Sequence, residues 1–151
     1  MSALLELLDE RVLLCDGATG SLVQAMNLDI TKDYRDQENC TEILNLSRPD
    51  LVRQIHHTYL TAGADLILTN SFGGSPITLA EFELADQAFE INKLSGELAR
   101  EAVESFAGDG RARFVLGSIG PGTKLPSLDH IGYDELEAAL MIQAKGLIAG
   151  S

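Results

Sequence analysis

A threefold recurrence limits the folds open to this chain. A short, largely apolar run breaks into a polar, glycine-bearing loop at Val12–Cys15, at Leu66–Thr69 and at Phe114–Gly117. The loops begin Asp16-Gly17-Ala18-Thr19-Gly20, Asn70-Ser71-Phe72-Gly73-Gly74 and Ser118-Ile119-Gly120-Pro121-Gly122. Runs without polar alternation, bounded by turn residues, read as strands buried on both faces. Strands of this kind alternating with helices predict a parallel sheet with right-handed crossovers. The three loops should then gather at the carboxyl ends of the strands, where such sheets bind ligands.

Helical spacing fills the intervals. Leu4, Leu5, Leu7 and Leu8 predict a short helix over 3–9, placed to plug one end of a sheet or barrel. A further helical turn is expected near 20–26, and 27–47 reads as a long, polar, irregular segment. Ser47 reads as an N-cap and Pro49 as a first-turn residue of a helix that Gly63 ends. Leu51, Ile55, Tyr59 and Leu60 form its apolar face. A short helix is predicted over 76–85. A longer one over 86–106 carries Ala88, Ile91, Leu94, Leu98, Ala102 and Phe106 on one face, and a last one starts at Tyr133 and runs to about Ile148.

Charge removes several classes of partner. Eleven Lys and Arg stand against 23 Asp and Glu, a formal net charge of −12. Nucleic acid and anionic membrane select basic faces, so neither is expected as a partner. No apolar stretch reaches the roughly 20 residues of a membrane span. The acidic first ten residues do not resemble a targeting peptide, and a cytoplasmic location is the expectation. The nucleotide-binding fingerprints G-x-G-x-x-G and G-x-x-x-x-G-K-[ST] do not follow any of the three strands.

Asp16 ends the first strand, and Gly17 and Gly20 are placed to let the backbone turn and approach a ligand. Cys15, inside that strand, reads as a small core residue and Cys40 as an ordinary thiol; two cysteines do not make a disulfide framework. Adjacent His56 and His57 point about 100 degrees apart on a helix, so they read as structural or surface residues and not as a ligand pair. His130 reads as solvated. The acidic residues of 29–42 suit either a cation site or a solvated loop, the second being the commoner use.

D-G-A-T-G-S at 16–21, E-N-C-T-E-I-L-N-L-S-R-P-D at 38–50 and A-G-A-D-L-I-L-T-N-S-F-G at 62–73 resemble the homocysteine S-methyltransferase family. G-S-I-G-P at 117–121, followed by Leu125-Pro126, extends the resemblance. It is greatest to members that make methionine with methylcobalamin as methyl donor, whose homocysteine-binding module comes first in the chain. The resemblance implies a (βα)8 TIM barrel that transfers a methyl group to the sulfur of homocysteine. It implies zinc in the complete domain, held by three cysteines of later strands, which neither Cys15 nor Cys40 matches. Other relatives use betaine or S-methylmethionine as donor.

Carried over by position, the substrate-binding residues are Asp16, Gly17, Thr69, Asn70, Ser71, Ser118 and Gly120, with Asp16 pairing with the homocysteine ammonium. No catalytic or metal-binding residue carries over. Three strands are fewer than a barrel needs, so the whole chain, 1–151, is expected to be the N-terminal portion of such a barrel, about three to four βα units. It is expected to lack zinc and to be inactive alone. Its expected partners are homocysteine, the remaining barrel half or a cobalamin module, and a second copy through the open sheet edge. Two alternatives stay open: a non-enzymatic α/β binding or assembly module that pairs with another chain, and a different α/β enzyme sharing only the architecture.

Overall fold

The computed structural model describes residues 3–151. In chain order its main elements are α1 (Ala3–Glu10), α2 (Thr19–Ala25), α3 (Leu44–Ser47), α4 (Pro49–Ala62), β1 (Leu66–Leu68), α5 (Pro76–Leu79), α6 (Ala88–Ser105), β2 (Phe114–Leu116) and α7 (Tyr133–Gly150). Short 3-10 turns occupy Thr41–Ile43, Ala80–Phe82 and Ala85–Gln87. β1 and β2 pair in parallel, with Leu66 opposite Phe114 and Leu68 opposite Leu116. The protein is therefore α/β, mostly helical, around a two-stranded parallel sheet.

The first predicted strand is reduced to one bridge. Cys15 pairs in parallel with Leu66, and the Asp16 N–H donates to the Leu66 carbonyl (2.9 Å). It is not buried on both faces: Val12 is 82% exposed, Leu14 is 59% exposed, and Cys15 is exposed and not a core residue. Of its apolar side chains only Leu13 is half-buried. Helix α1 buries no residue, and so does not plug the sheet. The segment is held by these backbone bonds, by the Asp65 and Leu66 N–H groups donating to the Leu14 carbonyl (2.8 and 3.0 Å), and by an ionic cluster. Arg11 reaches Asp65 with both guanidinium ends (2.9 and 2.8 Å), Arg111 adds a third contact (3.1 Å), and the Leu14 N–H donates to Asp65 Oδ2 (3.0 Å).

Helix α4 forms where the sequence places it. Proline's fixed φ suits the first helical position, so Pro49 starts the helix. Gly63 at φ 105° ends it, in a left-handed conformation that only glycine takes without strain. Ser47 is not its cap: the hydroxyl donates to the Asp33 and Ile43 carbonyls instead. The segment 27–47 is also less solvated than its polarity suggests. Cys40, Ile43 and Leu44 are fully buried, packing with Leu79 and Ile91 on one side and Val52, Ile55 and Leu98 on the other. Burying each such aliphatic side chain contributes roughly 2 kcal/mol. A third cluster, Leu60, Ile67, Ala99 and Ala102, seats β1 against α4 and α6.

The predicted helix over 76–85 breaks into α5 and two 3-10 turns, with Glu83 left-handed between them (φ 57°). Helices α6 and α7 pack along glycines. A Cβ on Gly146 would lie 2.6 Å from the Phe89 carbonyl oxygen, and one on Gly96 would lie 3.0 Å from Gly150. That close approach brings α7 far enough in to bury Gln143 completely.

Candidate functional site

The three polar loops do converge. The Gly120 N–H donates to the Phe72 carbonyl (2.9 Å), tying the loop after β2 to the loop after β1. A Cβ on Gly120 would lie 2.6 Å from that carbonyl oxygen, so this crossing needs glycine. The Leu68 N–H donates to Asp16 Oδ2 (2.9 Å), which ties the first loop to β1. The Tyr59 hydroxyl donates to the Ala18 carbonyl (3.0 Å) and lies against Gly17, where a Cβ would be 3.3 Å from the phenol oxygen. Neither Gly17 nor Gly20 has a positive φ, so tight packing against Tyr59, not an unusual backbone turn, favours glycine at 17.

Thr69, Ser71 and Ser118 form a closed ring of hydrogen bonds. The Ser118 N–H donates to Thr69 Oγ1 (2.9 Å), and the Ser71 hydroxyl donates to the Ser118 carbonyl (2.8 Å). Thr69 Oγ1 and Ser71 Oγ are 2.6 Å apart. Ser71's single proton is already committed to Ser118, so Thr69 is the donor between the two hydroxyls. Every member both gives and receives, which fixes the ends of β1 and β2 relative to each other. Gln143 supports the ring from behind, its amide donating to the Ser71 carbonyl (2.6 Å).

Asn70 ties the end of β1 to the segment 41–45. Its amide donates to the Thr41 carbonyl (2.8 Å) and to Asn45 Oδ1 (3.1 Å), and Asn45 donates back to the Asn70 carbonyl (2.8 Å). The segment 41–45 is thereby bound to the end of β1. Glu42 completes the junction by accepting from the Gly73 N–H (2.6 Å) and from the Thr41 hydroxyl (3.3 Å).

These groups line a cleft of about 240 Å³ whose walls include Thr19, Gly20, Glu42, Thr69, Asn70, Ser71 and Ser118. Of the residues expected from sequence, Thr69, Asn70, Ser71 and Ser118 face it together. Asp16 and Gly17 stand beside it, and Gly120 shapes the loop crossing. Burial raises the Asp16 carboxyl above its usual range, partly opposed by the Leu68 N–H. Glu42 lines the cleft, and Asn45 and Gln143 brace its walls from behind; none of the three was among the substrate-binding residues expected from sequence. Glu42 sits in an acidic, polar stretch that reads as solvated, and Gln143 lies mid-helix with no local signal.

The histidines and cysteines take no part in the cleft's lining. His56 is buried with both ring nitrogens unpartnered, and burial, then the neighbouring His57, lowers its pKa to about 4. His57 contacts Ser105 (3.2 Å) and the edge of Phe106, and His130 is exposed. Burial pushes the Cys40 thiol up to about 11. Among the described residues no group of three or more His, Cys, Asp or Glu side chains is gathered to hold a metal ion. Cys15 and Cys40 therefore do not fit the zinc that the family resemblance implies.

The sequence pattern of the homocysteine S-methyltransferase family matches residues 13–151. Methionine synthases of Mycobacterium tuberculosis (strain ATCC 25618 / H37Rv) and Mycobacterium leprae (strain TN) are each 40% identical over 147 residues. That match takes in 97% of this chain but 12% of either synthase. The oxidized form of the homocysteine methyltransferase MmuM from Escherichia coli superposes with a TM-score of 0.80 at 24% identity, over all of this chain and 54% of that one. Its metallated form gives 0.76 at 23% identity, over 97% of this chain and 53% of that one. These two likenesses concern the fold. With the family pattern spanning all but the first twelve residues, the chain belongs to the homocysteine S-methyltransferase family.

Proposed function

We propose that this chain supplies the homocysteine-binding part of a methyltransferase of the methionine synthase type, as about half of a (βα)8 barrel. The observation that carries this reading is the cleft at the carboxyl ends of the parallel strands. Its lining of hydroxyls, one side-chain amide and one carboxylate, beside the apolar Leu68 and Phe72, suits an amino acid with a polar, zwitterionic end and an apolar arm. Thr69, Asn70, Ser71 and Ser118 position the substrate, with Asp16 and Gly17 at the rim and Gly120 holding the loop crossing. The reaction is attack of the homocysteine sulfur on an activated methyl group. This chain's contribution is to bind and orient the amino acid, since the residues present do not fit a metal that would hold the thiolate. Zinc ligands and a methylcobalamin module belong, in this reading, to protein outside these 151 residues.

The test is titration calorimetry of the chain with L-homocysteine and with L-alanine, which keeps the amino acid group but lacks the thiol arm. Saturable binding of homocysteine, weaker for alanine, is expected. Absence of homocysteine binding at millimolar concentration refutes the reading.

One observation favours assembly with further protein. Beside β2, Ile119, Tyr133, Met141 and Ile148 are exposed, and the strand's outer edge has no partner among the described residues. Exposed apolar surface next to a free strand edge invites pairing. Sedimentation velocity is expected to show concentration-dependent self-association. A monomer at every concentration counts against pairing through this face.

A further inference from the structure

We propose that Gln143 and Asn92 are positioning residues for the cleft: two buried amides, one from each of the packed helices α7 and α6, that hold the turn 71–74 from behind. The inference rests on the homocysteine reading for its affinity readout only; a second readout is independent of any ligand. Ser71 and Phe72 line the cleft, so the seat of the turn decides the shape of that wall. The Gln143 amide donates to the Ser71 carbonyl (2.6 Å), which also accepts from the Gly74 N–H (2.9 Å). The Asn92 amide donates to the Gly74 carbonyl (2.7 Å) and to the Ala88 carbonyl of its own helix (2.6 Å). Both ends of the turn are thus pinned by side chains that are not part of the cleft's lining.

Packing brings the two amides to one place. A Cβ on Gly146, three residues after Gln143, would lie 2.9 Å from Asn92 Cβ, and one on Gly74 would lie 2.5 Å from Asn92 Oδ1. Glycine at 146 lets α7 press onto α6 beside Asn92, and glycine at 74 lets the turn press onto Asn92 itself. Gln143 and Asn92 are fully buried, yet Gln143 Oε1 and Asn92 Oδ1 have no hydrogen-bond partner. A buried acceptor without a partner is costly, and an apolar side chain of the same length avoids that cost. The distinct contribution of each amide is therefore the donor it places on the turn. Departures of this kind from an apolar interior are expected where function needs them.

The experiment compares the wild-type chain with Gln143→Met, Gln143→Glu, Asn92→Leu and Leu98→Ala, by amide hydrogen exchange and by calorimetry with L-homocysteine. Methionine keeps the length of glutamine and removes the donor. The Gly74, Ser118 and Gly120 amides are expected to exchange roughly 2- to 10-fold faster in Gln143→Met, the size of one hydrogen bond, while amides of α4 change less. Homocysteine affinity is expected to fall by a similar factor, and Asn92→Leu should act in the same direction. Leu98→Ala opens the core between α6 and α4, away from the turn, so it should lower stability and leave affinity within about twofold. The glutamate of Gln143→Glu donates only when protonated, so its affinity relative to wild type should recover between about pH 8 and about pH 5.5, as a purely structural loss would not. Unchanged exchange at the three amides in Gln143→Met overturns the proposal, as does an affinity loss that Leu98→Ala reproduces. A wild-type chain that binds no homocysteine refutes the reading of the cleft, and the exchange pattern then decides by itself whether the two amides hold the turn.

Discussion

Acidification between pH 7 and pH 4 is expected to destabilise this protein through His56. The side chain is 3% exposed and neither ring nitrogen has a hydrogen-bond partner, so protonation would place an unpaired charge inside the protein. Burial, with the adjacent His57, lowers its pKa from 6.5 to about 4. The sign follows from linkage. A group whose folded pKa is depressed favours the folded state above its unfolded pKa, and that advantage is lost as pH falls toward the folded value. A shift of this size is worth at most ~3.4 kcal/mol, of which ~2 kcal/mol is gone by pH 5 and ~3 kcal/mol by pH 4. Against a domain stability of about 5–15 kcal/mol this is a large fraction. The assay is urea unfolding of the wild-type chain and His56→Leu at pH 7.5, 6 and 5. Leucine removes the titration and both unpartnered nitrogens. The variant should match or exceed the wild type at pH 7.5 and lead it by ~2 kcal/mol or more at pH 5. Both proteins share every other titrating group, so the difference isolates His56. Parallel pH profiles, or an imidazole resonance for His56 titrating near 6.5, would refute the reasoning.

Asp65→Asn is expected to destabilise the chain by about 2 kcal/mol, less than a fully buried pair because Arg11 and Arg111 are partly exposed. Its carboxyl is held well below the usual range, chiefly by Arg11, so the loss should be full at neutral pH, start to shrink only below about pH 4 and still be mostly present at pH 3.5; urea unfolding at pH 7 and pH 3.5 checks this, and a variant equal to the wild type at pH 3.5 would contradict it. Gly146→Ala should lower stability by about 1–3 kcal/mol, because the methyl would meet the Phe89 carbonyl oxygen at 2.6 Å; a thermal midpoint equal to the wild type would show that α6 and α7 can separate at no cost. Thr69→Val should remove two links of the hydroxyl ring and cost about 1–3 kcal/mol, with homocysteine affinity falling in the same variant. In Ellman titration of the native chain, exposed Cys15 should react and buried Cys40 should stay silent until denaturant is added; two equivalent native thiols would contradict the core packing.

Much of the fold was legible locally. Pro49 and Gly63 mark the ends of α4 because their backbone preferences act without help from the rest of the chain. The apolar runs at 66–68 and 114–116 became paired strands because aliphatic β-formers flanked by turn residues have few alternatives. The polar loops after them met because parallel strands put successive carboxyl ends on one side. Residue types alone therefore determined an α/β chain with a polar edge, and with it most of the cleft's hydroxyl and amide lining.

What lay beyond the sequence depended on which surfaces are covered. Val12–Cys15 has the same apolar character as the other runs, yet only Cys15 bridges to β1, because a strand's burial is set by what packs on it and not by its own residues. Ser47 carries a capping side chain, but carbonyls of Asp33 and Ile43 compete for its proton. Cys40 and Glu42 sit in a polar segment that reads as solvated, and tertiary packing folds that segment inward against α6 and the loop after β1. Gln143 reaches Ser71 across 72 positions of chain, a distance no local pattern spans. Sequence determined the chemistry available to the cleft, since residue identity and strand direction are local. Tertiary structure decided which carboxylate is enclosed in it, since burial is a property of the whole packed chain.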